Sequence, residues 1–146
     1  MNIPFTILEP EVPGGLGERT RMDTSVHPPV VQSLHFEFEG WLGDELVESF
    51  PCFLVTARVA GVLEGKGLSG FLLADVEVTR SEQFQELYPG RVLPRFRWLQ
   101  IVGVAGSDDF GLSSDHRLVV SKVALQALES CALCQADREP YAVASG

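Results

Sequence analysis

Phe53-Leu54-Val55-Thr56, followed by Leu63-Glu64 and Leu68, recurs as Leu118-Val119-Val120-Ser121, Leu128-Glu129 and Leu133, each matched pair 65 positions apart. In both copies an apolar, β-prone run ends at a hydroxyl residue and is followed by about two turns of helix-compatible sequence. Thr56 and Ser121 are therefore expected as helix N-caps, each accepting a hydrogen bond from an orphan amide of the first turn. Neither copy carries an evident catalytic residue, so what repeats is a packing unit, which favours a scaffold that binds something. Strand–cap–helix units are common, and chance alignment is the competing explanation.

Working outward, residues 4–9 read as a short strand. Residues 10–31 hold Pro10, Pro13, Gly14, Gly15, Gly17, Pro28 and Pro29 and read as a long irregular arm, a feature that is usually functional or mobile. Leu34-His35-Phe36-Glu37-Phe38-Glu39 alternates strictly, which places Leu34, Phe36 and Phe38 on a buried face and His35, Glu37 and Glu39 on the other. The helix after Thr56 carries Val59, Val62 and Leu63 as one stripe and stops near Gly65 and Gly67. Phe71 to Val78 reads as one strand, buried at its start and half-exposed at its end. Ser81 to Tyr88 reads as a short helix capped by Ser81 and stopped by Pro89-Gly90. Trp98 to Val104 is the best central strand, and Gly106 to Asp109 a turn. The second helix presents Ala124, Ala127 and Leu128, and Pro140-Tyr141 suits an edge strand. The expectation is a single α+β domain spanning residues 1–146, with a mixed or antiparallel sheet and two to three short helices. Residues 53–73 and 118–138 form an internal strand–helix pseudo-repeat in it.

The chain of 146 residues is long enough to bury a real core, and its 45% hydrophobic and 21% charged residues fit a globular protein. Twenty acidic residues against 11 basic give a net charge of −9, which argues against nucleic acid as a direct partner. It suits a basic partner, and equally plain solubility. No run approaches the roughly 20 apolar residues that cross a bilayer, and Met1-Asn2-Ile3-Pro4 lacks the basic and apolar regions of a signal peptide. The three cysteines, Cys52, Cys131 and Cys134, do not make a disulfide framework, and the expected compartment is the cytoplasm.

The candidate chemistry is sparse. His35-Phe36-Glu37 with Cys131-Ala132-Leu133-Cys134 is similar to the His-x-Glu plus Pro-Cys-x-x-Cys pattern of zinc nucleobase deaminases. Ser130 stands where that pattern has proline, the His-x-Glu lies in a strand rather than at a helix start, and the gap between the halves is too large. A metal site built from Cys131, Cys134 and His35 would be the basis of an alternative reading, a zinc-dependent enzyme of unrecognised type. One Cys-x-x-Cys supplies only two of the four ligands of a structural zinc. Ser113-Ser114-Asp115-His116 has the residue types of a hydrolase triad without a nucleophile elbow, and Asp109-Phe110-Gly111 lacks every companion of the kinase motif. Arg91, Arg95 and Arg97 form the one basic cluster, expected to pair internally. The acidic stretch Glu37, Glu39, Asp44, Glu45 and Glu48 around Trp41 reads either as a solvated strand face or as a surface for a basic partner.

Asp108-Asp109-Phe110-Gly111-Leu112, then Leu118-Val119-Val120-Ser121, Ala124-Leu125 and Leu128, resembles the endings of immunity proteins of bacterial polymorphic toxin systems. The first copy, Phe53 to Leu73, has a similar look. The resemblance implies a small, acidic, cytosolic and non-enzymatic protein without cofactor, which neutralises a cognate toxin by occluding its active site. Some such proteins carry paired Cys-x-x-Cys-Gly motifs; here a single Cys-x-x-Cys is followed by Gln135. The implied partner is a toxin with a basic active-site cleft, met by Glu37, Glu39, Trp41, Asp44, Glu45 and Glu48.

Overall fold

The computed structural model describes residues 4–142. In chain order the elements are β1 (Phe5–Glu9), β2 (Gly14–Leu16), β3 (Arg21–Asp23), β4 (Val30–Ser33), β5 (His35–Phe38), β6 (Leu46–Ser49), β7 (Cys52–Thr56), α1 (Ala57–Gly65), β8 (Phe71–Ala74), β9 (Glu77–Arg80), α2 (Glu82–Leu87), β10 (Phe96–Ile101), β11 (Phe110–Leu112), β12 (Leu118–Ser121), α3 (Lys122–Glu129) and β13 (Asp137–Pro140). The fold is α+β and mostly sheet.

The pseudo-repeat extends well beyond the two strand–helix units. One sheet has the order β6-β7-β10-β8 and the other β11-β12-β1-β13. These orders correspond strand for strand: a hairpin ends in the capped helix, and the strand after that helix forms the far edge. The register corresponds too. Phe96 pairs Thr56 and Leu99 pairs Phe53, as Phe5 pairs Ser121 and Leu8 pairs Leu118. On the far side Leu99 faces Leu73 as Leu8 faces Arg138, and Gln100 faces Leu72 as Glu9 faces Asp137. The third strand of each sheet is exchanged. β1, which opens the first half, lies in the second half's sheet, and β10 lies in the first half's sheet. Bridges from Glu11 to Val47 and from Val104 to Leu112 then join the two sheets at equivalent corners.

Both helix caps form. Thr56 Oγ1 accepts from the Val59 amide at 3.3 Å and Ser121 Oγ from the Ala124 amide at 3.1 Å. Each hydroxyl also donates to a carboxylate just before its hairpin: Thr56 to Glu45 at 2.8 Å, Ser121 to Asp109 at 2.6 Å. The same two acids accept the cap residues' backbone amides at their carbonyls, at 3.0 and 2.8 Å. The lock is reciprocal. Glu45 Oε2 accepts from the Ala132 amide beyond α3, and Asp109 Oδ2 from the Ser69 amide beyond α1, at 2.8 and 2.9 Å. Each half's acid thus holds down the loop after the other half's helix.

Two cores lie on the two faces of the first sheet. Leu8, Leu46, Phe53, Val55, Leu99, Phe110, Leu118 and Val120 pack with Val59, Leu63, Ala124, Ala127 and Leu128 from the helices. Val47, Cys52, Leu54, Phe96 and Trp98 pack instead against Leu34, Phe36, Phe38 and Phe84. A strand buried on both faces needs an uninterrupted apolar run, and β7 is buried throughout.

Two expectations are corrected. The segment 10–31 is not an irregular arm, because β2 pairs with β5, and β3 forms a hairpin with β4. Its glycines serve close approach: a Cβ on Gly17 would lie 2.1 Å from His35 Nδ1, and one on Gly14 would lie 2.0 Å from the Glu37 carbonyl oxygen. Phe71 to Val78 is not one strand. β8 joins β10 in one sheet and β9 runs parallel to β5 in another, because Phe71 and Leu73 pack on the first core while Val76 and Val78 pack on the second.

Candidate functional site

The acidic stretch around Trp41 does not form one surface. Asp44 is buried, and its two carboxylate oxygens accept the Cys134 and Gln135 amides, each at 2.8 Å. Glu45 is bound by Arg58, Thr56 and the Ala132 amide; the Arg58 guanidinium, ahead of the backbone and hydroxyl donors, brings its carboxyl down to about 2. Both residues therefore clamp the Cys-x-x-Cys loop to the β6 entry. Trp41 is an internal anchor: its Nε1 donates to the Asp44 carbonyl at 2.8 Å, and its ring packs edge-on against Phe96. The Arg91 guanidinium lies 4.8 Å from that ring's centroid and donates to the Trp41 carbonyl at 3.0 Å. Glu37 is half-buried on β5, and Glu39 is exposed. Glu48 is half-buried on β6, where desolvation, reinforced by Glu9, pushes its carboxyl up to about 7. The signal that reveals the clamp is an acid directly before an apolar residue in both halves, Glu45-Leu46 and Asp109-Phe110.

His35 does not share an outward face with Glu37 and Glu39. It is 4% exposed, with the Arg19 amide donating to its Nδ1 at 3.2 Å and Thr79 Oγ1 lying 2.7 Å from its Nε2. An Nδ1 that accepts is unprotonated, so Nε2 carries the hydrogen and donates to Thr79. Both ring nitrogens are used inside the β2–β5–β9 layer. Cys131 is half-buried and Cys134 exposed at the other end of the clamp, and the structure does not bring His35 to them. Among the described residues no group of three or more His, Cys, Asp or Glu side chains converges to hold a metal. Burial pushes the Cys52 thiol up to about 12, which removes it as a nucleophile.

The concave surface that the sequence does not reveal lies where the β3–β4 hairpin meets the first sheet. Pro28, Pro29, Val30 and Val31 form one wall of a cleft of about 410 Å³; Pro51, Trp98, Ile101, Val102 and Leu112 are among the residues of the others. Val30 and Val102 of its lining stand exposed. Phe50, at the tip of the β6–β7 hairpin, packs near His27 and His116 with ring centroids 6.1 and 6.5 Å away. The lining is apolar, with Gln100 as a polar group, and it offers burial and shape rather than acid–base chemistry.

No family model, curated protein or solved structure matches the chain. Among the described residues no helix is long and apolar enough to cross a membrane.

Proposed function

We propose that the chain is a non-enzymatic binding protein, an immunity protein that neutralises a cognate toxin by covering its active site. The observation that carries this reading is the open apolar cleft beside the β3–β4 hairpin, rimmed by exposed Val30 and Val102, on a chain of net charge −9. A concave apolar patch with exposed aliphatic side chains at its rim supports a protein–protein contact. The acidic balance favours a partner with a basic cleft and speeds encounter by long-range attraction. Asp44, Glu45 and Trp41 act in this reading as supports for the scaffold, because their polar groups are already spent within the chain. Glu39 and other exposed carboxylates remain to steer the partner.

The test is co-expression with the product of the gene beside its own, scoring cell survival and co-purification. The expected result is a lethal neighbour, rescue by this chain and a stable complex. The Val30→Lys/Val102→Lys variant, altered only at exposed positions, should lose rescue and co-purification together. A harmless neighbour that does not co-purify sinks the immunity reading, and rescue unchanged in the double variant removes the cleft from it.

A further inference from the structure

The two equivalent edge strands of the molecule are treated in opposite ways. β13 is Asp137-Arg138-Glu139-Pro140, exposed along its length. Charges and a proline are what a sheet edge carries when pairing with another chain is to be prevented. Its counterpart in the first sheet, β8, is Phe71-Leu72-Leu73-Ala74 and has neither. Leu72 is 56% exposed, whereas the residue in the matching register position is Asp137.

The backbone of β8 has bonding capacity left over. The Val102 amide donates to the Gly70 carbonyl at 2.9 Å. In an antiparallel ladder the bonded pairs alternate, so Gly70, Leu72 and Ala74 turn their polar groups toward β10. Phe71 and Leu73 then direct theirs to the open edge, and among the described residues β10 is the only strand paired with β8. Leu72 lies opposite Gln100 and Ala74 opposite Trp98, and both β10 residues line the cleft. The open edge and the apolar cleft therefore belong to one continuous face. Acids stand at both ends of it. Asp108 lies against Gly70 with its Oδ2 accepting the Val104 amide at 2.7 Å, and the Asp75 side chain, directly after β8, is 94% exposed with Arg97 Nε 4.0 Å from its Oδ1.

We propose that β8 is a strand-addition site, which takes an extended segment of a protein partner with alternating apolar and basic side chains. Main-chain bonds to Phe71 and Leu73 supply the pairing. The apolar side chains cover Leu72 and reach toward the cleft, and the basic ones meet Asp75 and Asp108. A second copy of this chain fits less well. Two four-residue strands meet over only about 13 Å, and a stable dimer needs on the order of 800 Å² from each side. This inference deepens the protein-partner reading above and names how the partner is held.

The experiment uses the full chain and a synthetic hexapeptide of alternating valine and lysine, with amide hydrogen exchange read residue by residue by NMR. In the free protein Phe71 and Leu73 should exchange fast and Leu72 slowly. The peptide should slow Phe71 and Leu73 by at least about tenfold, the mark of new main-chain bonds. A peptide N-methylated on its pairing residues should give no protection, and Leu72→Lys should abolish the effect of the parent peptide while the chain stays folded. Protection on β13 instead, protection nowhere, or equal protection by the N-methylated peptide overturns the proposal. Protection of Phe71 and Leu73 that rises with protein concentration, without peptide, overturns it in favour of a second copy. Because the peptide is independent of any toxin, failure of the rescue assay and failure of this one are separate results.

Discussion

Glu48 costs the folded state stability at neutral pH, and a single substitution should show it. On β6 it pairs with Phe53 of the first core, and its register counterpart in the other half, paired with Leu118, is Leu112. A carboxylate thus stands where the twin has an apolar side chain. Desolvation, and secondarily the charge of Glu9, raises its pKa from an ordinary 4.5 to about 7. A group whose folded pKa is raised favours folding most when protonated. Its contribution is complete below pH 4.5, declines as pH climbs, and is gone above about 7. The full shift corresponds to at most about 3.4 kcal/mol, and water reaching the half-exposed group reduces this to roughly 1–2 kcal/mol. Glu48→Gln cannot ionise, so its stability relative to the parent should rise by that amount between pH 5 and pH 8. With a urea slope of about 2 kcal/mol per M, the midpoint should move up by roughly 0.5–1 M at pH 8 relative to pH 5. Comparing the two pH values cancels any fixed cost of the amide. A difference between the proteins that stays flat from pH 5 to pH 8 refutes the reasoning.

The two caps should behave alike: Thr56→Ala and Ser121→Ala should each cost about 1–2 kcal/mol in urea unfolding, since each removes a cap and leaves a carboxylate without its hydroxyl donor. Losses below a few tenths in both would show that the caps are ornamental. Thiol labelling of the native chain should modify Cys134 first and leave Cys52 untouched until unfolding, because Cys134 is exposed and Cys52 is buried with its thiol pushed up to about 12. Fragments 1–90 and 91–146 should each lack a cooperative transition alone and regain one when mixed, because each lacks the exchanged strand beside its own hairpin; a folded single fragment contradicts this.

The features legible in the sequence were local ones. A hydroxyl residue between an apolar run and an apolar stripe places a helix start by itself, and all three capped helices begin where Thr56, Ser81 and Ser121 indicate. β10 is the interior strand that Trp98 and its neighbours announce, and β13 is an edge. The exchange of β1 and β10 was hidden, because residues 10–45 separate β1 from β6, whereas residues 102–109 alone separate β10 from β11. The roles of Asp44 and Glu45 were hidden for the same kind of reason. Their amide partners lie near residue 132, and a carboxylate that ties down a distant loop has the same local pattern as one that faces water. Alternation in 34–39 predicted the buried Phe36 and Phe38 correctly but not His35, whose ring lies against Gly17 with the Arg19 amide and Thr79 on its nitrogens, in a segment that reads as irregular because of its glycines and prolines.

The correspondence between the halves bears on the proposed partner site. Where only packing matters, the halves agree: the cap hydroxyls, the acids that hold them, and the leucines at 8 and 99 occupy matching places. They disagree at Leu112 against Glu48, at Gln100 against Glu9, and along β8 against β13. They disagree also in the segment containing β3 and β4, which only the first half carries. Leu112, Gln100 and that segment line the cleft, and β8 pairs with the strand that carries Gln100. Part of this asymmetry serves packing, since Leu112 is a member of the second half's own sheet and Val31 of β4 packs on the second core, but Gln100 and the exposed Leu72 have no such role. Their convergence on one face sets that face apart from the rest of the acidic surface and supports placing the proposed partner site there.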